Sequence, residues 1–293
     1  SRGPNIEATT FMQPEHPYFS HHPGRFFYIK DEETGEIFSA PYEPVRNKEA
    51  SFEVSYGTAD IQWRIKFKSI LVELKLTLPK ESVAELWQCK ITNLGSTDRK
   101  LSVYPYFSVG YMSWMNQSAK FNSELDAIVC SSVTPYQKLD DYDQNNSKHH
   151  LTYLLCQKTP SAWECSQNKF EGEGGLHAPD GVLGDNLKKS KCDYETPVAA
   201  VQYQVTLQPK AEEQLNFVFG AARNDEEVSE LKNYYFPSSS KSVGFERTIH
   251  ELEPYVLGGQ NSLKISSEDK QFDAFTNNWL ARQVFYHGDV NRL

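Results

Sequence analysis

The sequence predicts a mainly β protein, a large antiparallel β-sandwich followed by helices, and three observations carry that reading. Aromatic residues are abundant, with 17 Phe, 16 Tyr and 5 Trp against 3 Met in 293 residues, a balance that favours strands over helices. Successive runs alternate apolar and polar residues, as strands with one buried face must. The alternation stops near Ala222, and helical spacing takes over. A chain of this length holds about one or two domains. The division falls between residues 1–222, the sandwich, and residues 223–293, a helical segment.

The elements follow in order. Arg25 to Lys30 and Glu36 to Ser39 read as a hairpin closed by Asp31-Glu32-Glu33-Thr34-Gly35, with Gly near the end of the turn. Its acids, Asp31, Glu32, Glu33 and Glu36, are read as solvated turn residues. Ser51 to Tyr56 (SFEVSY) alternates strictly, Gly57 to Asp60 breaks the run, and Ile61 to Lys68 alternates again. Ile70 to Leu78 repeats the pattern, and Leu86 to Thr92 does so more weakly. Lys100 to Tyr111 and Val198 to Phe219 supply further long strands, the latter interrupted at Gln208-Pro209-Lys210-Ala211. Two packed sheets bury that many one-sided strands. Asp140 to Lys191 differs: residues 140–148 form a polar loop, and Phe170 to Lys191 is rich in Gly and charge, so both are expected at the surface. Beyond Ala222, Asp225 is expected to cap a helix through Tyr234, a second helix to run from Val243 to Leu252 and stop before Pro254, and Ser267 to cap a third. That third helix carries Phe272, Phe275, Trp279, Ala281 and Gln283 near helical spacing.

Charge and composition exclude several functions. With 39 acids against 30 bases the net charge is −9, which repels phosphate backbones and argues against a nucleic-acid partner. No apolar run approaches the roughly 20 residues of a membrane-spanning helix, so no membrane partner is expected. The cysteines Cys89, Cys130, Cys156, Cys165 and Cys192 match neither a CxxC pair nor a zinc spacing. They are read as reduced structural thiols, which favours a cytoplasmic address. His16, His21 and His22 sit among prolines with no carboxylate at ligand spacing beyond Glu15, so no metal site is assigned. Glu171-Gly172-Glu173-Gly174-Gly175 is not a phosphate loop, because no Lys-Ser/Thr follows and two acids stand inside it. Neither a G-x-S-x-G nor an H-E-x-x-H motif occurs. From the residues alone, no catalytic set is visible.

A resemblance adds to this reading. Gly24-Arg25-Phe26-Phe27-Tyr28-Ile29-Lys30-Asp31, with Thr34-Gly35 and Ser39, resembles the opening hairpin of the amino-terminal domain in glycoside hydrolase family 94. Ile91-Thr92-Asn93 followed by Arg99, Leu101, Val103 and Tyr106 is similar to the family's next strand pair. Phe170, Gly172, Gly174 and Pro179 fit its "F-x-G" loop, and Phe272, Asn277, Trp279, Leu280 and Gln283 fit its linker helix. The four matches are ordered and span nearly the whole chain. The resemblance implies a β-supersandwich with linker helices, preceding an (α/α)6 barrel that carries the chemistry. Most members are inverting phosphorylases, in which a barrel Asp protonates the glycosidic oxygen while inorganic phosphate attacks the anomeric carbon. Phosphate thereby replaces the activated water of an inverting hydrolase. No cofactor is implied, phosphate being a substrate, and the catalytic residues are expected outside residues 1–293.

Within the family, Phe11-Met12-Gln13-Pro14-Glu15-His16-Pro17-Tyr18-Phe19 and Phe285-Tyr286-His287-Gly288-Asp289 look most like the members that cleave cellobionic acid into α-glucose 1-phosphate and gluconate. The partners implied are a β-glucoside disaccharide and phosphate. The resemblance also implies a homodimer in which one sandwich helps to wall the neighbour's active site. Gln167, Asn168, Lys169 and Phe170 are the candidate wall, backed by the glycine-rich loop. Two other functions stay open: a non-catalytic carbohydrate-binding or dimerisation module, and a β-glucan hydrolase or transglycosylase of the same architecture.

Overall fold

The computed structural model describes residues 24–80, 82–109, 117–132, 151–237, 243–258 and 264–280. His16, His21, His22, the loop at residues 140–148, the opening at 11–19 and the phrase at 285–289 lie outside them, as do Ala281 and Gln283. The first hairpin, β1 (Arg25–Asp31) and β2 (Ile37–Ala40), is set by its turn. Asp31 Oδ1 accepts from the amides of Glu33 (2.9 Å) and Thr34 (3.3 Å), and Gly35 closes the turn at φ 71°. Asp31 is therefore buried and faces Arg99 at 3.4 Å, rather than solvated.

A meander follows: β3 (Ser51–Tyr56), β4 (Asp60–Phe67), β5 (Ile70–Thr77) and β6 (Ala84–Asn93), then β7 (Arg99–Ser108). Next come β8 (Gln117–Asn122), β9 (Ala127–Ser132), β10 (Leu151–Cys156) and β11 (Ala162–Ser166). A short helical segment precedes β12 (Cys192–Asp193), β13 (Pro197–Leu207) and β14 (Glu212–Ala222). The strands form a five-stranded sheet, β11-β13-β7-β1-β2, and a nine-stranded sheet, β12-β8-β9-β10-β14-β6-β5-β4-β3. Paired neighbours in both sheets run antiparallel.

The main core lies between the sheets. Phe27 of β1 meets Trp87 and Phe217 of the larger sheet at ring-centroid distances of 5.9 and 5.8 Å. Val72, Leu74, Ile91, Val103 and Val201 fill the same layer. The alternate residues of β1, Phe26 and Tyr28, face the other way into a second apolar cluster with Tyr106 and Phe170. A strand buried on both faces reads as a continuous apolar run, which is how Arg25-Phe26-Phe27-Tyr28-Ile29 reads.

Two of the later helices cover part of the outer face of the larger sheet. After the short α1 (Gln167–Glu171) and α2 (Asp180–Leu183) come α3 (Asp225–Tyr235), α4 (Val243–Gly258) and α5 (Lys270–Ala274), which continues as a π-helix over Phe275–Leu280. Val228, Tyr235, Phe236 and Phe245 pack on Leu86, Val129, Tyr153 and Val218. Three helix boundaries differ from expectation. Asn224, not Asp225, caps α3, its side chain accepting from the Glu227 amide at 3.0 Å. Asp269, not Ser267, caps α5 by accepting from the amides of Gln271 and Phe272, while Ser267 bonds Asp273. Helix α4 runs through Pro254 to Gly258. Pro254 and His250 both lie on its exposed face, where water can satisfy the carbonyl that the missing N–H leaves free.

Candidate functional site

The stretch expected at the surface, Phe170 to Lys191, follows two strands and is not an irregular loop. Residues 151–156 and 162–166 are strands, and the glycine-rich segment behind them is helical and packs down on the outer face of the smaller sheet. Its anchor is a bulge in β11 between Glu164 and Ser166. Glu164 Oε1 accepts from the amides of Cys165 and Ser166, each at 3.0 Å, and from Ser190 Oγ at 2.6 Å. Burying that carboxylate is tolerable because it gathers several donors. Ser166 then caps α1, accepting from the Lys169 amide at 3.4 Å and donating to Glu195 at 2.9 Å.

Within α1 the four candidate residues separate. Asn168 and Lys169 are exposed. Gln167 is half-buried, its Nε2 donating to Glu171 Oε1 one turn on at 2.8 Å. The same oxygen accepts from Tyr106 OH at 2.7 Å. Burial foremost, and then the nearby Glu171 carboxylate, raises the pKa of both Tyr106 and Tyr28 well above the usual phenol value. Both phenols therefore stay neutral donors. Phe170 is fully buried, 4.8 Å from the Tyr106 ring and 5.8 Å from Tyr28, and plugs the space beneath α1.

The loop after α1 is held rigidly. Gly172 sits at φ 56°, and a Cβ there would lie 1.9 Å from Asp180 Oδ2, the oxygen that accepts from the Glu173 amide. Tyr28 OH donates to the Leu176 carbonyl at 2.9 Å, and His177 Nδ1 lies 2.7 Å from the Pro44 carbonyl. The arrangement presents an amide and a cation, Asn168 and Lys169, on a fixed one-turn helix. The carboxylates beside it, Glu171 and Asp180, serve as structural acceptors. Glu164, Tyr106 and Glu171 position the loop and were missed from sequence. The Gln167/Glu171 spacing of four was the available signal.

Elsewhere, a groove of about 400 Å³ crosses the outer face of the larger sheet between Arg64, Glu73, Lys75 and Lys90. Its charges are mutually engaged, with Arg64 and Lys90 at 3.5 and 3.6 Å from Glu73 and Lys75 at 3.0 Å from Asp60. Trp63, which also lines it, turns its ring to the core side, where it stacks on Trp87, 5.7 Å away, and offers the groove no platform for a sugar. All five cysteines are buried free thiols, and among the described residues no cluster of His, Cys, Asp or Glu could hold a metal ion. No helix among the described residues is long and apolar enough to cross a membrane.

Residues 16–236 match the glycosyl hydrolase 94 supersandwich domain. The chain belongs to this family. It is 52% identical to a cellobionic acid phosphorylase of Neurospora crassa over 99% of its length, which is 36% of that protein. It is 26% identical to a 3-O-beta-D-glucopyranosyl-beta-D-glucuronide phosphorylase of Paenibacillus borealis over 92% of its length and 34% of that protein. This supersandwich domain thus spans about a third of the curated relatives it matches. A bacterial glucoamylase complexed with acarbose shares the fold, with a TM-score of 0.54 and 8% identity over 88% of this chain and 33% of that one.

Proposed function

We propose that this supersandwich domain serves an inverting glycoside phosphorylase that cleaves cellobionic acid with inorganic phosphate to α-glucose 1-phosphate and gluconate. The observation that carries the reading is the 52% identity, sustained over 99% of the chain, to the Neurospora enzyme. On this reading the sandwich covers residues 1–222, residues 223–293 link it to a catalytic barrel, and the general acid lies in that barrel. Phosphate is a substrate and no cofactor takes part. The five free thiols support a cytoplasmic address.

The enzyme is a homodimer in which α1 of one sandwich approaches the neighbour's substrate. Exposure of Asn168 and Lys169 on a rigid helix supports this, with Gln167 at its base. The net charge of −9 makes the domain a poor general attractor for an aldonate. The cations that select gluconate therefore sit in the barrel, with Lys169 an auxiliary. The test is synthesis from glucose 1-phosphate with gluconate and glucose as competing acceptors. Preference for gluconate is expected; preference for glucose would overturn the cellobionic assignment and leave the family intact.

A further inference from the structure

The two sheets are unequal, and the larger one overhangs the smaller at β3. On the core side of the larger sheet, Phe52, Val54 and Tyr56 of β3 stand opposite Ile65, Trp63 and Ile61 of β4. Those residues in turn stand opposite Val72, Leu74 and Leu76 of β5. All three strands therefore turn an apolar row to the same side. Over β5 and the Ile65 end of β4 that row is buried, with β2, the last strand of the smaller sheet, packed against both strands. β3 lies one strand further out. Phe52, Val54, Tyr56 and Ile61 are 58, 50, 73 and 40% exposed, although Tyr42 stacks on one side of Phe52 at 4.8 Å.

The same surface continues onto the last helix. Tyr56 meets Trp279 edge-on at 6.4 Å, and Phe272, Phe275 and Leu280 are also exposed. An apolar edge strand left bare invites pairing with other chains, so natural proteins cover or charge it. Here the edge is neither short nor charged on that face.

We infer that the core-side overhang of β3, together with the Phe275–Leu280 turn, is the face on which the catalytic portion of the same polypeptide docks. The inference rests on the phosphorylase reading. Its occupant is named by size and by continuity: most of the Neurospora relative's length lies outside the stretch matched here. The overhang is moreover joined by a ring contact to the helix that the sequence places as the linker. The catalytic portion completes the roof that the five-stranded sheet leaves unfinished.

Hydroxyl-radical footprinting of the full-length protein tests this, with phosphorolysis measured on the same sample. Tyr234, 42% exposed on α3, is the internal reference. Phe52, Tyr56 and Phe275 are expected to oxidise several-fold more slowly than Tyr234, at every protein concentration. Oxidation as fast as Tyr234 would overturn the docking face. So would protection that disappears on dilution, because it would assign the surface to a second copy. An active protein with a bare β3 defeats the docking alone. An inactive protein with a protected β3 defeats the phosphorylase reading and supports the docking.

Discussion

The β5 and β3 ends of the nine-stranded sheet differ in what lies over them. Val72 and Leu74 of β5 are sealed beneath the smaller sheet, whereas Val54 and Tyr56 of β3, on the same side, face outward. Their sequences, ILVELKLT and SFEVSY, alternate equally well. Alternation therefore reports which face of a strand seeks an apolar partner and is silent on what supplies it. The outer face of the smaller sheet makes the complementary point. Phe26 and Tyr28 there are covered by a local segment, α1 with its glycine-rich loop, that composition alone marks as solvated.

The largest effect should come from that local cover. Phe170→Ala empties a fully buried aromatic site and is expected to cost about 3–5 kcal/mol in urea unfolding. A stable variant with an altered KM would instead make Phe170 a sugar contact. Leu74→Ala, in the sealed row, should cost about 2–5 kcal/mol. Val54→Ala in the full-length protein sharpens the contrast: a covered β3 predicts a loss clearly above the roughly 0.5 kcal/mol typical of surface substitutions. Gly172→Ala should destabilise by more than about 1 kcal/mol, because its φ of 56° and the Asp180 carboxylate leave no room for a methyl group. Thermal denaturation would show it, and an unchanged midpoint would mean that the loop can shift.

Smaller effects follow at the exposed positions. Lys169→Ala should leave stability unchanged and raise KM for the aldonate a few-fold, as expected for a partly solvated ion pair. Unchanged kinetics would return α1 to the role of a surface turn. The cysteines should give no effect at all. Burial pushes the Cys156 thiol up to about 12 and the Cys192 thiol up to about 11, so thiolate is scarce at pH 8. A disulfide reagent should titrate none of the five thiols in the native protein and all five after unfolding. Rapid labelling of any one in the native state would contradict the burial described here.

Much of the fold was legible because hairpin strands with one wet face declare themselves. The strands β3 to β6 fall within a residue or two of their alternation. β7, β13 and β14 are buried on both faces over most of their length and were legible as long apolar runs. β10, Leu151–Cys156, is buried on both faces and too short to declare itself in that way. In the loop after β11, Phe170, Leu176, Val182 and Leu187 are buried but spaced too widely to form a period. Gly and charge therefore dominated the reading. Within the candidate site, the exposure of Asn168 and Lys169 and the burial of Phe170 were not legible, because a four-residue stretch gives no sign of which side its helix buries. Asn224 and Asp225 are both good caps, and only backbone geometry distinguishes them.

On the proposed reading, a protein carrying this domain transfers glucosyl groups to phosphate rather than to water. Release of sugar from cellobionic acid by the full-length protein, with and without inorganic phosphate, tests this. α-Glucose 1-phosphate and gluconate are expected in equal amounts, formed only when phosphate is present. Free glucose released in phosphate-free buffer would contradict that reading and identify a hydrolase on the same scaffold.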